Sequence, residues 1–271
     1  MVECKIGTNP DKYSPTVSLE AIMTTLKLVA TSNKAMAKFD IKGVYLNADS
    51  DEELYIELDP TITNLAVDYF PELDDFVETG KLTVRLDKAL YGLVQCTRLC
   101  YLNISTFLKS IGFTQNPFDE CVFTNKNNLT VILYVYDLLA SSVNLNEIRW
   151  LESKLKLRYD EVDSTYGKKF TYLGVLLDQQ EDASIYLTRP QYIEDIIHSE
   201  YGMKEYSTPA DGHLFNEDPS ARNLDEPETK AFLSMVMKLM YICRRVRGDT
   251  LLPVFFYQQK SSLLLYPTKI N

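Results

Sequence analysis

Apolar residues recur along this chain with two periods, and the switching between them predicts a mixed fold. Leu19, Ile22, Met23, Leu26, Val29 and Ala30 fall at helical spacing behind Ser18, a residue able to cap a helix start, so residues 18–31 predict a helix. Met36 to Ile41 predicts a strand running into Lys42-Gly43. Strict alternation appears at Leu54, Ile56 and Leu58, and again at Leu82, Val84 and Leu86, as in half-buried strands. A helix over 98–111 places Ile104, Phe107, Leu108 and Ile111 on one face and stops at Gly112.

Val122-Phe123 and the apolar stretch Val131 to Val135 flank the turn formers Asn125-Lys126-Asn127-Asn128, which predicts a hairpin. A helix over 145–158 turns Ile148, Leu151 and Leu155 inward; strands near 170–177 and 184–187 then flank a polar turn from Gln179 to Ala183. Thr188, Pro190 and Gln191 open a further helix that Gly202 closes. Residues 203–229 are polar and acidic, carry Pro209, Pro219 and Pro227, and read as a linker. Beyond them, residues 230–246 predict a helix with Phe232, Met235, Val236, Leu239, Met240 and Cys243 in one amphipathic stripe. Interleaved helices and strands with a tight hairpin predict an α+β domain.

Composition narrows the class. Hydrophobic residues at 45% and charged residues at 24% are ordinary for a folded chain of 271 residues. No apolar stretch approaches the roughly 20 residues of a membrane helix, and Met1 to Lys5 lacks the layout of a secretory signal. The expectation is a soluble, intracellular, cytoplasmic protein. Five scattered cysteines and two histidines, His198 and His213, give no zinc-ligand spacing, and the cysteines read as reduced, buried thiols. The net charge of -10 repels a polyanion at long range unless basic groups gather locally. An acidic soluble protein with no nucleic-acid role is one reading of that charge.

Asp40 ends one apolar strand and Asp137 ends another, far apart in sequence. Carboxylates at the ends of adjacent strands are a usual way to hold divalent ions for nucleotidyl transfer. Taken alone, two such residues are more often turn formers.

The order of segments changes this. Asp40-Ile41-Lys42-Gly43-Val44-Tyr45-Leu46-Asn47 resembles the first catalytic motif of copia-type retrotransposon reverse transcriptases, with Glu52 to Glu57 matching its acidic, tyrosine-bearing continuation. Leu86 to Gln95, with Ala89-Leu90-Tyr91-Gly92-Leu93 at its centre, is similar to the family's next block, and Arg98 and Tyr101 match that block's extension. Leu133-Tyr134-Val135-Tyr136-Asp137-Leu138-Leu139 occupies the place of Leu-Tyr-Val-Asp-Asp-Ile-Leu. Tyr172-Leu173-Gly174 and Gln191-Tyr192-Ile193 complete five blocks in the family's order.

The resemblance implies an RNA-directed DNA polymerase of a transposable element. Its fold is a right-hand palm with partial fingers over 1–202, a linker over 203–229, and a helical connection segment over 230–271. It implies Asp40 and Asp137 as ligands of magnesium or manganese. Lys42, Tyr45, Gln95 and Arg98 would face the incoming nucleotide and template, and the partners would be an RNA or DNA template-primer and dNTPs. On their own residues, Tyr45 reads equally as a core aromatic, Lys42 and Arg98 as solvated charges, and Gln95 as a helix-start polar group.

This copy departs from the family pattern. Tyr136 stands where the first of the paired aspartates is expected, removing a charge and an oxygen ligand and weakening metal binding. Val94, Thr97, Cys100 and Gly248 replace the usual Lys, Pro, Trp and Pro. The basic fingers strand and any protease, integrase or ribonuclease H segment are expected to be absent. The expectation is therefore a truncated, drifting, catalytically defective nucleotidyltransferase, with a non-catalytic nucleic-acid-binding remnant as the alternative.

Overall fold

The computed structural model describes residues 13–43, 48–90, 92–93, 95–199, 207–210, 212, 214–216 and 224–265. The chain divides into two compact units, Met1–Gly167 and Lys168–Asn271. Gly202 and, within the expected linker, residues 203–206, 211, 213 and 217–223 lie outside the described residues.

The first unit opens with α1 (Leu19–Thr31), whose cap is the expected one: Ser18 Oγ accepts from the Ala21 amide at 3.1 Å. Then come β1 (Ala35–Ile41), β2 (Asp49–Glu57), α2 (Pro60–Tyr69), β3 (Val77–Glu78), β4 (Lys81–Lys88) and α3 (Cys96–Ser110). Strands β5 (Phe113–Gln115), β6 (Val122–Asn125), β7 (Thr130–Tyr134) and β8 (Asp137–Ser142) precede α4 (Leu145–Arg158) and β9 (Val162–Tyr166). Six of these strands form one antiparallel sheet in the order β5-β6-β7-β8-β1-β9. A smaller sheet runs β2-β4-β3.

Strand β1 lies between β8 and β9, and its alternating residues separate an apolar face from the face that carries Lys38 and Asp40. Ala37, Phe39 and Ile41 are buried, with Phe39 in register with Leu138 of β8. Lys38 and Asp40 alternate with them and point to the opposite face, as the two-residue period of a strand requires. Helix α4 lies against β1, β8 and β9 and buries Ile148, Leu151 and Leu155, the three residues its periodicity predicts. Each such side chain contributes roughly 1.5–3 kcal/mol on burial.

Glu152 fastens α4 to β9. Its carboxylate accepts from Lys156 Nζ at 2.7 Å, Ser164 Oγ at 2.7 Å and Tyr166 Oη at 2.5 Å. Burial opposes its ionisation, but the bonds from Lys156, Tyr166 and Ser164 outweigh it and hold the pKa down at about 2. A depressed folded pKa makes the lock fully present above the ordinary carboxylate range and lost as pH falls toward 2. Glu152→Gln is therefore expected to cost about 1.5–3 kcal/mol near neutral pH. Urea denaturation should show the gap from the parent narrowing between pH 4.5 and about 2; a gap independent of pH would refute the assignment.

The second unit contains β10 (Lys169–Tyr172), β11 (Val175–Gln179), β12 (Ile185–Thr188), α5 (Pro190–Ser199), α6 (Glu226–Arg245) and α7 (Leu251–Leu265). The single strand expected near 170–177 is two strands, paired through a two-residue turn at Leu173-Gly174. Both turn residues have positive φ, 48° and 76°, the twist that closes a tight hairpin. Sequence reasoning passed over this turn because leucine, unlike asparagine or aspartate, does not signal one; Gly174 inside a strand pattern was the available sign. Helix α6 starts a turn ahead of residue 230, because Asp225 and Glu228 form a capping box. Its Met240 and Cys243 pack with Val254 of α7. Among the described residues no helix is long and apolar enough to cross a membrane.

Gly174 also faces a crowded space. A Cβ there would stand 3.1 Å from the Arg189 guanidinium, which is stacked 4.9 Å from the rings of both Tyr192 and Tyr241 and so cannot swing away freely. Gly174→Ala should cost about 1–3 kcal/mol from its φ and this contact together, seen as a lower melting temperature. Gly248→Ala, with nothing within 4 Å, is the control.

Candidate active site

Asp40 and Asp137, distant in sequence, are directly opposed across β1 and β8. Asp137 begins β8; it does not end the preceding strand as its apolar neighbours imply. Tyr134 pairs with Asp137, leaving Val135 and Tyr136 as a two-residue hairpin tip. Val135 has φ 57°, a position usually filled by glycine in such turns and strained for a β-branched residue by about 1–3 kcal/mol. The Ile41 amide donates to the Tyr136 carbonyl at 3.3 Å and ties the tip to the end of β1.

A third carboxylate joins this pair. Asp163 of β9 is opposed to Asp40 on the other side, so Asp137, Asp40 and Asp163 form a row across three adjacent strands. Opposed residues share a face of the sheet and stand about 4.5–5.5 Å apart at Cα. Two lysines of β1 and its end pair with the row. Lys38 Nζ lies 3.0 Å from Asp137 Oδ1. Lys42 Nζ bonds Asp40 Oδ2 and lies 3.2 Å from Asp163 Oδ2. Its ammonium is stabilised first by the Asp40 hydrogen bond and then by Asp163, which raise its pKa above the ordinary lysine value.

The pairs differ in exposure. Asp137 and Lys38 are 19% and 26% exposed, whereas Lys42 and Asp163 are 45% and 64% exposed. Asp137 Oδ1 is buried without a hydrogen bond, so its contact with Lys38 is an ion pair alone. Among the described residues, no three His, Cys, Asp or Glu side chains converge to hold a metal ion. The acid row is therefore a line of paired charges, not a cage.

The other expected site residues are dispersed. Gln95 precedes α3 and Arg98 lies in its first turn, both half-buried. That turn is fixed by a small core of Ala48, Ala89, Cys96 and Leu99, with Leu93 packed against it. This gives Ala89 and Leu93 of the matched block a packing role. Helix α3 packs against β5 and β2, elements separate from those carrying the acid row. Tyr136 is 39% exposed, and Tyr45 lies outside the described residues. Sequence reasoning missed Lys38 and Asp163. Lys38-x-Asp40-x-Lys42 on a strand was a legible sign, whereas Asp163 becomes visible only through strand register.

The family described as Reverse transcriptase (RNA-dependent DNA polymerase) matches residues 6–210. The Pol polyprotein of transposon TNT 1-94 from Nicotiana tabacum is 28% identical over 260 residues, covering 90% of this chain and 18% of the relative. The Gag-Pol polyprotein of transposon Ty1-MR1 from Saccharomyces cerevisiae is 29% identical over 282 residues, covering 96% of this chain and 15% of the relative. The chain thus spans less than a fifth of the length of these relatives. A solved telomerase from Candida albicans gives a TM-score of 0.39 at 10% identity, covering 92% of this chain and 45% of that one, too distant to bear on function. Five sequence blocks in order and a family match over most of its length place this chain in the copia-type reverse transcriptase family of retrotransposon Pol polyproteins.

Proposed function

We propose that this chain is the palm and partial fingers of a copia-type RNA-directed DNA polymerase whose nucleotidyl transfer is impaired. The observation that carries this reading is the direct opposition of Asp40 and Asp137 on adjacent strands. It gives physical content to the two aspartates singled out by the motifs. In this reading the six-stranded sheet is the palm, and α3 presents Gln95 and Arg98 toward nucleotide and template.

Members of this family work with divalent metals, and the donors here do not fit a pair of such ions. Tyr136 is a neutral phenol where a carboxylate is expected. Three carboxylates against two ammonium groups leave one net negative charge in the row. Two divalent ions bring four positive charges and need oxygens at short distance in a fixed geometry. The row as it stands offers no seat for a two-ion transfer.

The second reading, a nucleic-acid-binding remnant, has support from the same pairing, since it weakens catalysis without touching α3. Both readings predict that a primer–template duplex binds and that log affinity falls with log salt, as phosphate contacts require. No binding at low salt would eliminate both. Robust extension of the primer by the parent protein would overturn the impairment.

A further inference from the structure

The acid row poses an electrostatic problem that the surrounding β1 residues answer. Directly opposed like charges destabilise a sheet, and here Asp137, Asp40 and Asp163 stand side by side on β8, β1 and β9. Asp40 is flanked two residues to either side by Lys38 within β1 and Lys42 just past its end, and both ammonium groups meet the row. Each lysine reaches across to a neighbouring strand, Lys38 to Asp137 at 3.0 Å and Lys42 to Asp163 at 3.2 Å, and Lys42 also bonds Asp40.

We propose that Lys38 and Lys42 are built-in counter-cations of this row, so that the sheet stands without a divalent ion and such an ion must displace Lys42 to reach Asp40. A lysine ammonium is a compact charge with three donors on a flexible stem, which suits it to bridge two carboxylates in the place of a cation. Exposed ion pairs of this kind are individually weak; what gives Lys42 its effect is that it contacts two carboxylates which otherwise repel each other. The proposal deepens the reading of the acid row given above. Its test reads cation binding and melting without primer extension, so its failure and that of the polymerase reading are separable.

The experiment is titration of the full chain with Mn2+ alone, followed by electron paramagnetic resonance, together with thermal melting in EDTA and in MnCl2. The parent should melt at the same temperature in both. Lys42→Met should melt lower in EDTA, recover in MnCl2, and bind Mn2+ at least about tenfold tighter than the parent, because the ion no longer competes with a like-charged ammonium for Asp40 and Asp163. Lys42→Arg should behave as the parent. Asp40→Asn added to Lys42→Met should abolish the gain. Should Lys42→Met fail to fold in either buffer, Lys42→Gln and Lys38→Met carry the same expectation at the two ends of the row. Equal Mn2+ affinity in the parent and these variants, a parent stabilised by Mn2+, or tight binding retained without Asp40 would each overturn the proposal.

Discussion

Replacing Tyr136 by aspartate raises primer extension in Mg2+ or Mn2+ at least about tenfold above the parent, since loss of even a supporting partner at a metal site costs 10–100-fold. Tyr136 sits at the hairpin tip next to Asp137, and the tip is tied to β1 by the Ile41 amide. A carboxylate there adds an oxygen donor beside the Asp40–Asp137 pair without altering the strands, because a two-residue loop fixes the backbone. It also takes the row from one net negative charge to two, strengthening its attraction for a divalent ion over the two lysines. Extension of a labelled primer by both purified proteins is the measurement, with circular dichroism to confirm folding. If both are folded and equally inert, the missing carboxylate is not what limits this chain.

Phe39→Ala should produce the largest loss of stability, about 3–5 kcal/mol, as expected for emptying a fully buried aromatic site. Phe39 is 0% exposed, lies between β8 and β9 in register with Leu138 and Ser164, and meets the ring of Tyr166 edge-on at 6.1 Å. Neighbouring strands on both sides limit how far the sheet can collapse into the cavity. Because Asp40 is the next residue, the same change should also loosen the acid row. Urea denaturation of the first unit's signal should show a lower midpoint. Phe76→Ala, at a position 68% exposed, should shift stability by no more than about 0.5 kcal/mol. Comparable losses at both positions would mean that the core does not sit where the sheet places it.

Much of this arrangement was legible in the chain. The helices over 18–31, 98–111 and 145–158 and the Asn125–Asn128 hairpin turn arise from apolar period, caps and turn chemistry, which act within a few residues. In that turn the Asn125 side chain accepts from the amides of Asn127 and Leu129, the reason such residues signal a turn at all. The tip at Val135-Tyr136 and the turn at Leu173-Gly174 were harder to read. Val135, Tyr136 and Leu173 carry no turn preference, and Val135 and Leu173 are held in left-handed conformations by the strands on either side. Tertiary pairing overrode local preference at both.

The sequence by itself determined which residues alternate between a buried and a charged face of β1, and that Asp40 and Asp137 belong to the same set of motifs. It also displayed the exchange of a carboxylate for Tyr136. Only the tertiary structure decided that Asp163 stands beside Asp40, and that Lys38 and Lys42 pair with the row. The reason is register: which residue faces which across a sheet depends on how distant strands align, and a shift of one residue would turn Asp163 to the opposite face. Local periodicity sets the face of a side chain, while strand pairing sets its neighbours, and charge chemistry depends on neighbours.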